Sequence, residues 1–347
     1  MKKNIYINAR FLTQKLTGVQ RYAYEISKSL AEKNFYNIIL LVPRKKILNR
    51  TYLYNFNIIK VGLNRSHFWE QLDLLLFLNN KNKPLLVNLT NSGPVFYKNQ
   101  ISTIHDLSIY RSGNWYSSIY KMFYRMIIPK LINNSIKVLT VSEFSKNEII
   151  RKFNISNNKV QVIHNAVSLN LDYKKIKNTS NEEYILFIGG SSERKNLLNT
   201  LKAFNQIENK SLRFKIVGFN KKYSKYIKDK NIDIYDKVDD CILNKLYSNA
   251  RLLIFPSFYE GFGIPPIEAM HLRCPVIVSN IPVFKDLFED SVIFVDPHSV
   301  DEIKKSIIEL LDNSALRQEL IVKGLKQSRK FSWKISSSKL VDIINQL

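Results

Sequence analysis

Short apolar, β-branched runs alternate along the chain with longer stretches whose apolar residues recur at helical spacing. The runs predict buried strands, and the stretches between them predict amphipathic helices that cover a parallel sheet. In the first half, the predicted strands are Ile5–Asn8, Ile38–Val42, Leu85–Asn88, Ile101–His105, Val138–Val141 and Val160–Ile163, and the predicted helices are 18–33, 66–78, 114–134 and 143–152.

A second series of the same kind follows a polar, aperiodic stretch between Asn165 and Glu183. Its predicted strands are Tyr184–Ile188, Phe214–Val217, Leu252–Phe255, Val276–Val278 and Val292–Phe294, and its predicted helices are 196–207, 239–249, 265–272, 300–312, 315–330 and Trp333–Leu347. The pattern predicts an α/β protein of two doubly wound, Rossmann-like domains that face each other across a cleft. We expect domains at 1–166 and 183–330, a linker at 167–182, and a separate final segment at 331–347.

Composition adds a charge asymmetry to this picture. The 347 residues carry a net charge of +24, and residues 1–180 hold 28 basic and 8 acidic side chains against 25 and 21 in the remainder. So basic a first half favours a polyanionic partner, either nucleic acid or an anionic membrane surface. The N-terminus lacks the features of a signal peptide, and no apolar run is long enough to span a bilayer. Two cysteines without metal-ligand spacing predict buried, reduced thiols in a cytoplasmic protein.

The stretch SFYEGFGIPPIEAM, residues 257–270, follows a predicted strand and carries the most specific chemistry. Its prolines suit the first turn of a helix and leave backbone N–H donors on Gly261, Phe262, Gly263 and Ile264. Glu260 precedes these donors and Glu268 lies one helical turn beyond them, and each carboxylate can accept two hydrogen bonds from a diol. Carboxylates beside N–H donors predict a ligand in which a sugar is joined to a phosphate.

Three other segments place polar residues after predicted strands. In FIGGSSERKN, Gly189 and Gly190 end a strand, and Arg194 with Lys195 precede a helix, which predicts a phosphate clamp. Gly18 opens the helix after the first strand, and His105 with Asp106 ends another strand. For His105 alone, a structural histidine is the simpler interpretation. For Arg21, a structural salt bridge fits the sequence as well as a ligand contact does. For Tyr22, the same holds for a ring in the core.

The order PSFYEGFGIPPIEAM, CPVIVSN, FVDP and FSW resembles the family 4 retaining glycosyltransferases, which have the GT-B fold. The resemblance implies that Glu260 binds donor-sugar hydroxyls and that Glu268 binds the nucleotide ribose. The backbone of 261–264, the Gly189–Gly190 loop, Arg194 and Lys195 would contact the sugar and diphosphate.

The same resemblance assigns roles in the first half. Gly18 would lie beside the diphosphate, His105 would contact the donor sugar, and Asp106, Arg21 and Tyr22 would lie on the acceptor side. The final helix of such proteins returns to the first domain, which is the acceptor-binding domain.

The resemblance implies transfer of a hexose, with GDP-mannose the favoured donor, to a lipid-linked (polyprenyl diphosphate) oligosaccharide during O-antigen or capsule assembly. No D-x-D triplet ends a strand, and the segment 232–240 resembles a surface loop and helix start, so we expect no cofactor and no metal. In residues 111–137, aromatic residues alternate with basic ones, which predicts either core packing or a face on the inner membrane surface.

Two alternatives remain open at this point. A retaining glycoside hydrolase could use Glu260 and Glu268 as its acid and nucleophile, but the glycines and cations would then have no role. A non-catalytic nucleic-acid-binding protein would explain the basic first half, but the chain contains no recognisable nucleic-acid-binding motif.

Overall fold

The computed structural model describes residues 2–48, 56–113, 115–168, 182–227 and 231–347. The chain divides into two compact units: Met1–Asn165 with Ser332–Leu347 form the first, and Ala166–Phe331 form the second. Most of the predicted linker, residues 169–181, lies outside the described part of the chain. No helix among the described residues is both long and apolar enough to cross a membrane.

The first unit is built on a parallel sheet of seven strands in the order β3-β2-β1-β4-β5-β6-β7. These strands are β1 (Asn4–Asn8), β2 (Asn37–Pro43), β3 (Asn57–Val61), β4 (Leu86–Asn88), β5 (Gln100–Thr103), β6 (Lys137–Thr140) and β7 (Val160–Val162). The central strands are buried on both faces, as expected when helices cover both sides of a parallel sheet.

Helices connect these strands on the two faces of the sheet. They are α1 (Gly18–Lys33), α2 (Ser66–Phe68), a π-helical segment (Trp69–Leu74), α3 (Leu75–Asn79), α4 (Ser118–Asn134) and α5 (Glu143–Phe153). Ser142 caps α5 by accepting a hydrogen bond from the Ser145 amide.

The second unit has a parallel sheet of six strands in the order β10-β9-β8-β11-β12-β13. Its strands are β8 (Tyr184–Gly190), β9 (Arg213–Phe219), β10 (Ile232–Tyr235), β11 (Leu252–Phe255), β12 (Val276–Ser279) and β13 (Ile293–Val295). Its helices are α6 (Leu197–Phe204), α7 (Asp240–Asn249), α8 (Ile264–His271), α9 (Pro282–Phe288), α10 (Val300–Asp312) and α11 (Ser314–Ser328). Alternate strand residues and α6, α10 and α11 enclose one apolar core.

The last helix, α12 (Trp333–Asn345), belongs to the first unit although it follows the second in sequence. It packs against α1, where the Ser29 and Ser337 hydroxyls lie 2.7 Å apart. The Trp333 ring meets the buried Tyr22 ring edge to face at 5.9 Å. Leu340 is wholly buried in this contact region.

The structure corrects several predictions from the sequence. Ile232–Tyr235 is strand β10 and not a surface loop, and β3 and α9 were not predicted. The helix predicted over 114–134 begins at Ser118, because the Ser117 hydroxyl accepts the Tyr120 amide and caps it there. Cys274 is buried as expected, whereas Cys241 is exposed.

Candidate functional site

The loop after β11 makes a tight turn into α8. Gly263 caps this helix with φ +107°, and a Cβ there would come within 2.6 Å of the Phe284 ring. Only glycine fits that position, for reasons of both backbone angle and space. Pro265 and Pro266 follow in the first turn, so their missing N–H groups cost no intrahelical bonds. The positive end of the α8 dipole therefore lies next to the loop that contains Glu260.

Glu260 is held between two cations. Its Oε1 accepts a hydrogen bond from Lys195 Nζ at 2.6 Å, and its Oε2 lies 2.9 Å from Arg194 Nη1. The carboxylate is 6% exposed, and both cationic side chains are largely buried. Lys195 Nζ also lies 4.3 Å from the centre of the Phe255 ring, at the end of β11.

These charges fix the ionisation of Glu260. Burial would raise the pKa of its carboxyl, but the positive charges of Arg194 and Lys195 more than offset burial and hold the pKa below its ordinary value. Arg194 also donates a hydrogen bond to the Tyr259 carbonyl. The cluster therefore holds two cations and one ionised carboxylate side by side at the end of the sheet.

Asn196 holds the cationic turn against the loop that carries Glu260. Its side-chain amide donates to the carbonyls of Pro256 at 3.0 Å and Pro297 at 2.7 Å. The Phe258 amide donates to the Arg194 carbonyl at 2.9 Å. Arg194 and Lys195 follow β8 and Glu260 follows β11, the two strands at which the strand order reverses. Ligands bind at such a point in open parallel sheets.

Glu268 lies on α8 and is 5% exposed. Its Oε2 accepts a hydrogen bond from the Tyr247 hydroxyl of α7 at 3.0 Å. The sequence had singled out neither Tyr247 nor Asn196 as a site residue, since a tyrosine or asparagine within a helical pattern has many structural uses. In the sequence, the signal for Tyr247 is its position on the predicted helix 239–249, which precedes the strand that leads to the glycine-rich loop.

The strand-end glycines before the cations are closely packed. A Cβ on Gly190 would come within 2.3 Å of the Gly218 carbonyl oxygen, and one on Gly189 would come within 3.2 Å of the Lys195 side chain. Gly189 also has φ +92°. Side chains at either position would therefore push the β8 turn away from its neighbours.

His105 follows β5 in the first unit and is almost fully buried. Its Nε2 lies 3.1 Å from the Leu89 carbonyl, and its amide donates to Asn91 Oδ1 at 2.8 Å. Burial lowers the pKa of the imidazole below its ordinary value, although the Leu89 carbonyl and the Asp106 charge act in the opposite direction. The neutral ring must donate from Nε2, because a carbonyl only accepts, and so Nδ1 is the accepting nitrogen.

The other predicted residues of the first unit lie in different settings. Gly18 is exposed as the first residue of α1, and Arg21 is half-buried one turn later. Tyr22 has no exposed surface and packs edge to face on His105 at 4.8 Å, so it is a core ring and cannot touch an acceptor. Asp106 accepts the Ser108 amide at 2.8 Å and caps the following turn; no bond to the His105 ring is found among the described residues.

Comparison with known families decides the class of protein. Residues 16–171 match the family model described as Glycosyltransferase Family 4, and residues 171–327 match that described as Glycosyl transferases group 1. The two matches meet at residue 171 and together span most of the chain. The chain belongs to this family of glycosyltransferases.

Curated relatives agree with that assignment, and a solved structure agrees with the fold. The glycosyltransferase is 27% identical over 275 residues to O-antigen chain mannosyltransferase B of Escherichia coli, with 72% of each chain covered. It is 32% identical over 238 residues to the O-antigen chain mannosyltransferase RfbU of Salmonella typhimurium, covering 66% of this chain and 65% of RfbU. The crystal structure of Anabaena HepE in complex with UDP-glucose matches all of both chains with a TM-score of 0.77 at 14% identity. This likeness and the two parallel sheets confirm the predicted GT-B fold.

Proposed function

We propose that this glycosyltransferase moves mannose from GDP-mannose to a lipid-linked oligosaccharide during O-antigen or capsule assembly, with retention of the anomeric configuration. The observation that carries the proposal is the cluster of Glu260, Arg194 and Lys195 at the strand-order reversal of the second sheet. The mannosyltransferase names of the relatives support the choice of sugar and pathway. The UDP-glucose complex of HepE supports a nucleotide sugar as the donor class.

In the proposed donor complex, Arg194 and Lys195 bind the diphosphate while Glu260 accepts hydroxyls of the sugar. The ion pairs within the cluster support this division, because they hold cations and carboxylate at hydrogen-bonding distance before any ligand arrives. Glu268 would bind the ribose diol through its carboxylate, beside the Tyr247 hydroxyl.

Backbone groups complete the proposed donor site. The Gly189–Gly190 turn and the N–H groups of 261–264 would contact the diphosphate and sugar, aided by the α8 dipole. Gly18 would contact the diphosphate in the same way at the N-terminus of α1. His105 keeps its predicted contact with the transferred sugar, for which its accepting Nδ1 suits a hydroxyl.

We infer that the reaction needs neither a metal nor a resident cofactor. The departing diphosphate develops negative charge, and Arg194 with Lys195 supplies fixed positive charge at the place where it develops. In this mechanism, the acceptor hydroxyl attacks the anomeric carbon from the face on which the diphosphate leaves. The leaving phosphate oxygen takes the proton of that hydroxyl. Retention of configuration follows from attack on that face.

The hydrolase alternative conflicts with the electrostatics of Glu260. A glycosidase acid needs a raised pKa so that it stays protonated and can donate to the leaving oxygen. Arg194 and Lys195 hold the pKa of Glu260 below its ordinary value and keep it ionised. Glu260 is therefore suited to accept hydrogen bonds from hydroxyl groups and not to donate a proton.

We also propose that the first unit attaches to the inner, anionic surface of the membrane. One exposed face of α4 carries Ile119, Met122 and Met126, which are 76%, 60% and 56% exposed. Lys121, Arg125 and Lys130 flank this stripe. Apolar side chains at helical spacing beside basic ones are typical of helices that lie in a membrane interface.

Thermal shift with nucleotide sugars tests the donor proposal. We expect GDP-mannose to raise the melting temperature, since a ligand at 100 times its Kd stabilises the folded state by about 2.7 kcal/mol. The shift should persist in EDTA and should largely disappear in Arg194→Gln. Lys202→Gln, an exposed charge removal on α6, is the matched control and should keep the full shift.

Product analysis tests the stereochemistry on the same preparation. An α-linked product from the α-linked donor, identified by its anomeric NMR signals, is expected. The proposal fails if no nucleotide sugar shifts the melting temperature, or if Arg194→Gln responds as strongly as the parent protein.

A further inference from the structure

The first unit repeats, at its own strand-order reversal, the kind of charged cluster found in the second. Strand order reverses between β1 and β4 in the first sheet, as it does between β8 and β11 in the second. Arg10 follows β1 and Ser92 follows β4. The residues that surround them have no part in the donor site described above.

A buried carboxylate, Glu70, is the centre of this cluster. Its Oε1 accepts hydrogen bonds from Asn8 Nδ2 at 2.9 Å and from the Ser92 hydroxyl at 2.8 Å, and it lies 3.1 Å from Arg10 Nε. Its Oε2 lies 2.9 Å from His67 Nδ1, one helical turn earlier. Glu70 has no exposed surface, and Arg10 is almost fully buried.

Such a cluster is a poor way to gain stability. Burying charges costs desolvation energy, and apolar residues of similar volume often stabilise a core as well or better. A charged cluster at a ligand-binding position of the sheet therefore favours a binding role. Burial would raise the pKa of Glu70, but the Arg10 charge and the hydrogen bonds from His67 and Asn8 more than offset it and keep Glu70 ionised.

The ionised Glu70 determines how His67 can act. A carboxylate only accepts hydrogen bonds, so His67 Nδ1 carries the hydrogen of the 2.9 Å contact. The other nitrogen, Nε2, accepts a hydrogen bond in the neutral imidazole and donates one in the imidazolium, and a hydroxyl group can pair with either form. No residue in the described part of the chain bonds to Nε2, and the His67 side chain is 22% exposed.

Aromatic rings of α4 surround this imidazole. Phe123 lies 4.4 Å from the His67 ring and Tyr124 lies 5.7 Å from it, while Tyr120 stands 4.5 Å from Tyr124. Aromatic rings beside one oriented hydrogen-bonding nitrogen are a combination that suits a pyranose, which has an apolar face and a hydroxyl edge.

We propose that this cluster binds the acceptor sugar, with His67 Nε2 forming a hydrogen bond with an acceptor hydroxyl and Phe123 and Tyr124 contacting the face of the sugar ring. Arg10 and Glu70 are positioning residues that orient the imidazole. This assignment rests on the proposed function in that the acceptor is a sugar. It moves the acceptor contacts away from the buried Tyr22 and the turn-capping Asp106.

Saturation-transfer NMR with methyl glycosides, on protein saturated with GDP, tests the assignment. The probes are methyl α-mannoside, methyl α-glucoside and methyl α-galactoside. His67→Asn keeps a donor near the Nδ1 position and removes Nε2, so we expect it to weaken glycoside binding about tenfold. His67→Gln places an amide near the Nε2 position and should recover much of that loss. Phe68→Ala, an exposed change on the same helix, should have no effect.

The GDP-mannose thermal shift, measured on every variant, separates the two proposals. Loss of glycoside signal in His67→Asn with an unchanged donor shift supports the acceptor site. Equal glycoside binding by His67→Asn and the parent, or no binding of any glycoside by the parent, overturns it while the donor proposal stands. Absence of a donor shift in the parent protein overturns the proposed function itself.

Discussion

The ion pairs of Glu260 determine how substitutions at this residue must be interpreted. Truncation to alanine removes the counter-charge of Arg194 and Lys195, whose side chains are only 15% and 14% exposed. Leaving buried charges unpaired costs several kcal/mol, so Glu260→Ala should lose stability as well as activity. Glutamine keeps the shape of the Glu260 side chain and one carbonyl acceptor. Glu260→Gln therefore separates the loss of activity from the loss of stability better than Glu260→Ala does.

We predict that Glu260→Gln lowers kcat for transfer on the order of 10²-fold, the loss typical when one electrostatic contact to a transition state is removed. The donor-dependent rate should be measured together with the melting temperature. Glu309→Gln, an exposed carboxylate on α10, should change neither quantity. Full activity of Glu260→Gln would remove Glu260 from the proposed mechanism.

The sequence showed which side chains follow the strands, but it did not show which of these side chains form pairs. Glu260, Arg194 and Lys195 each lie after a recognisable strand, and that position identified them. Their mutual ion pairs arise because β8 and β11 are neighbours in the sheet, which no local pattern reveals. His67 and Glu70 were not singled out from the sequence, because an i, i+3 pair on a helix is common and the meaning of this one depends on Arg10, sixty residues away.

The buried central strands and the edge strands β7 and β13 were predicted from the sequence, whereas the edge strands β3 and β10 were not. Strands such as β11 are continuous apolar runs because helices cover both faces. Strands β3 and β10 lie at sheet edges, are only partly buried and carry polar residues, so their sequences resemble loops. Helix α9 spans seven residues from Pro282 and is too short for its periodicity to be recognised.

The packing of α12 on the first unit should contribute measurably to stability. Leu340→Ala should lower the free energy of unfolding by about 2–5 kcal/mol, because it removes a wholly buried side chain and leaves a cavity. Urea unfolding measures the change. Lys339→Ala, the exposed neighbour on the same helix, should cost well under 1 kcal/mol. Equal effects of the two substitutions would mean that α12 does not pack as described.

Basic charge and an exposed apolar stripe, the two features of a membrane-binding surface, both occur in the first half of the chain. The excess of basic over acidic residues is concentrated in residues 1–180, which hold 28 and 8 respectively. The α4 stripe lies within this basic half. Periodicity predicted α4, but it left open whether the aromatic residues face the core or a membrane. In the structure, the aromatic residues Phe123 and Tyr124 contact His67, and the exposed apolar side chains of α4 include the aliphatic residues Ile119, Met122 and Met126.

Vesicle co-sedimentation tests whether that surface binds a membrane. The parent protein should bind vesicles rich in phosphatidylglycerol, should bind phosphatidylcholine vesicles far less, and should dissociate as salt screens the charges. Replacing Lys121, Arg125 and Lys130 by glutamine removes about 1 kcal/mol for each charge, so binding should weaken on the order of 100-fold. Replacing Ile119, Met122 and Met126 by serine should weaken binding without changing its salt dependence, since no charge is removed.

The matched control changes exposed apolar residues of the second unit. Ile242→Ser with Val322→Ser removes side chains that are 43% and 68% exposed, and it should leave vesicle binding unchanged. If the control and the α4 serine variant lose binding equally, general surface hydrophobicity, and not the α4 stripe, attaches the protein. If neither the glutamine nor the serine variant loses binding, the membrane contact lies elsewhere, and the exposed face of α4 needs another partner.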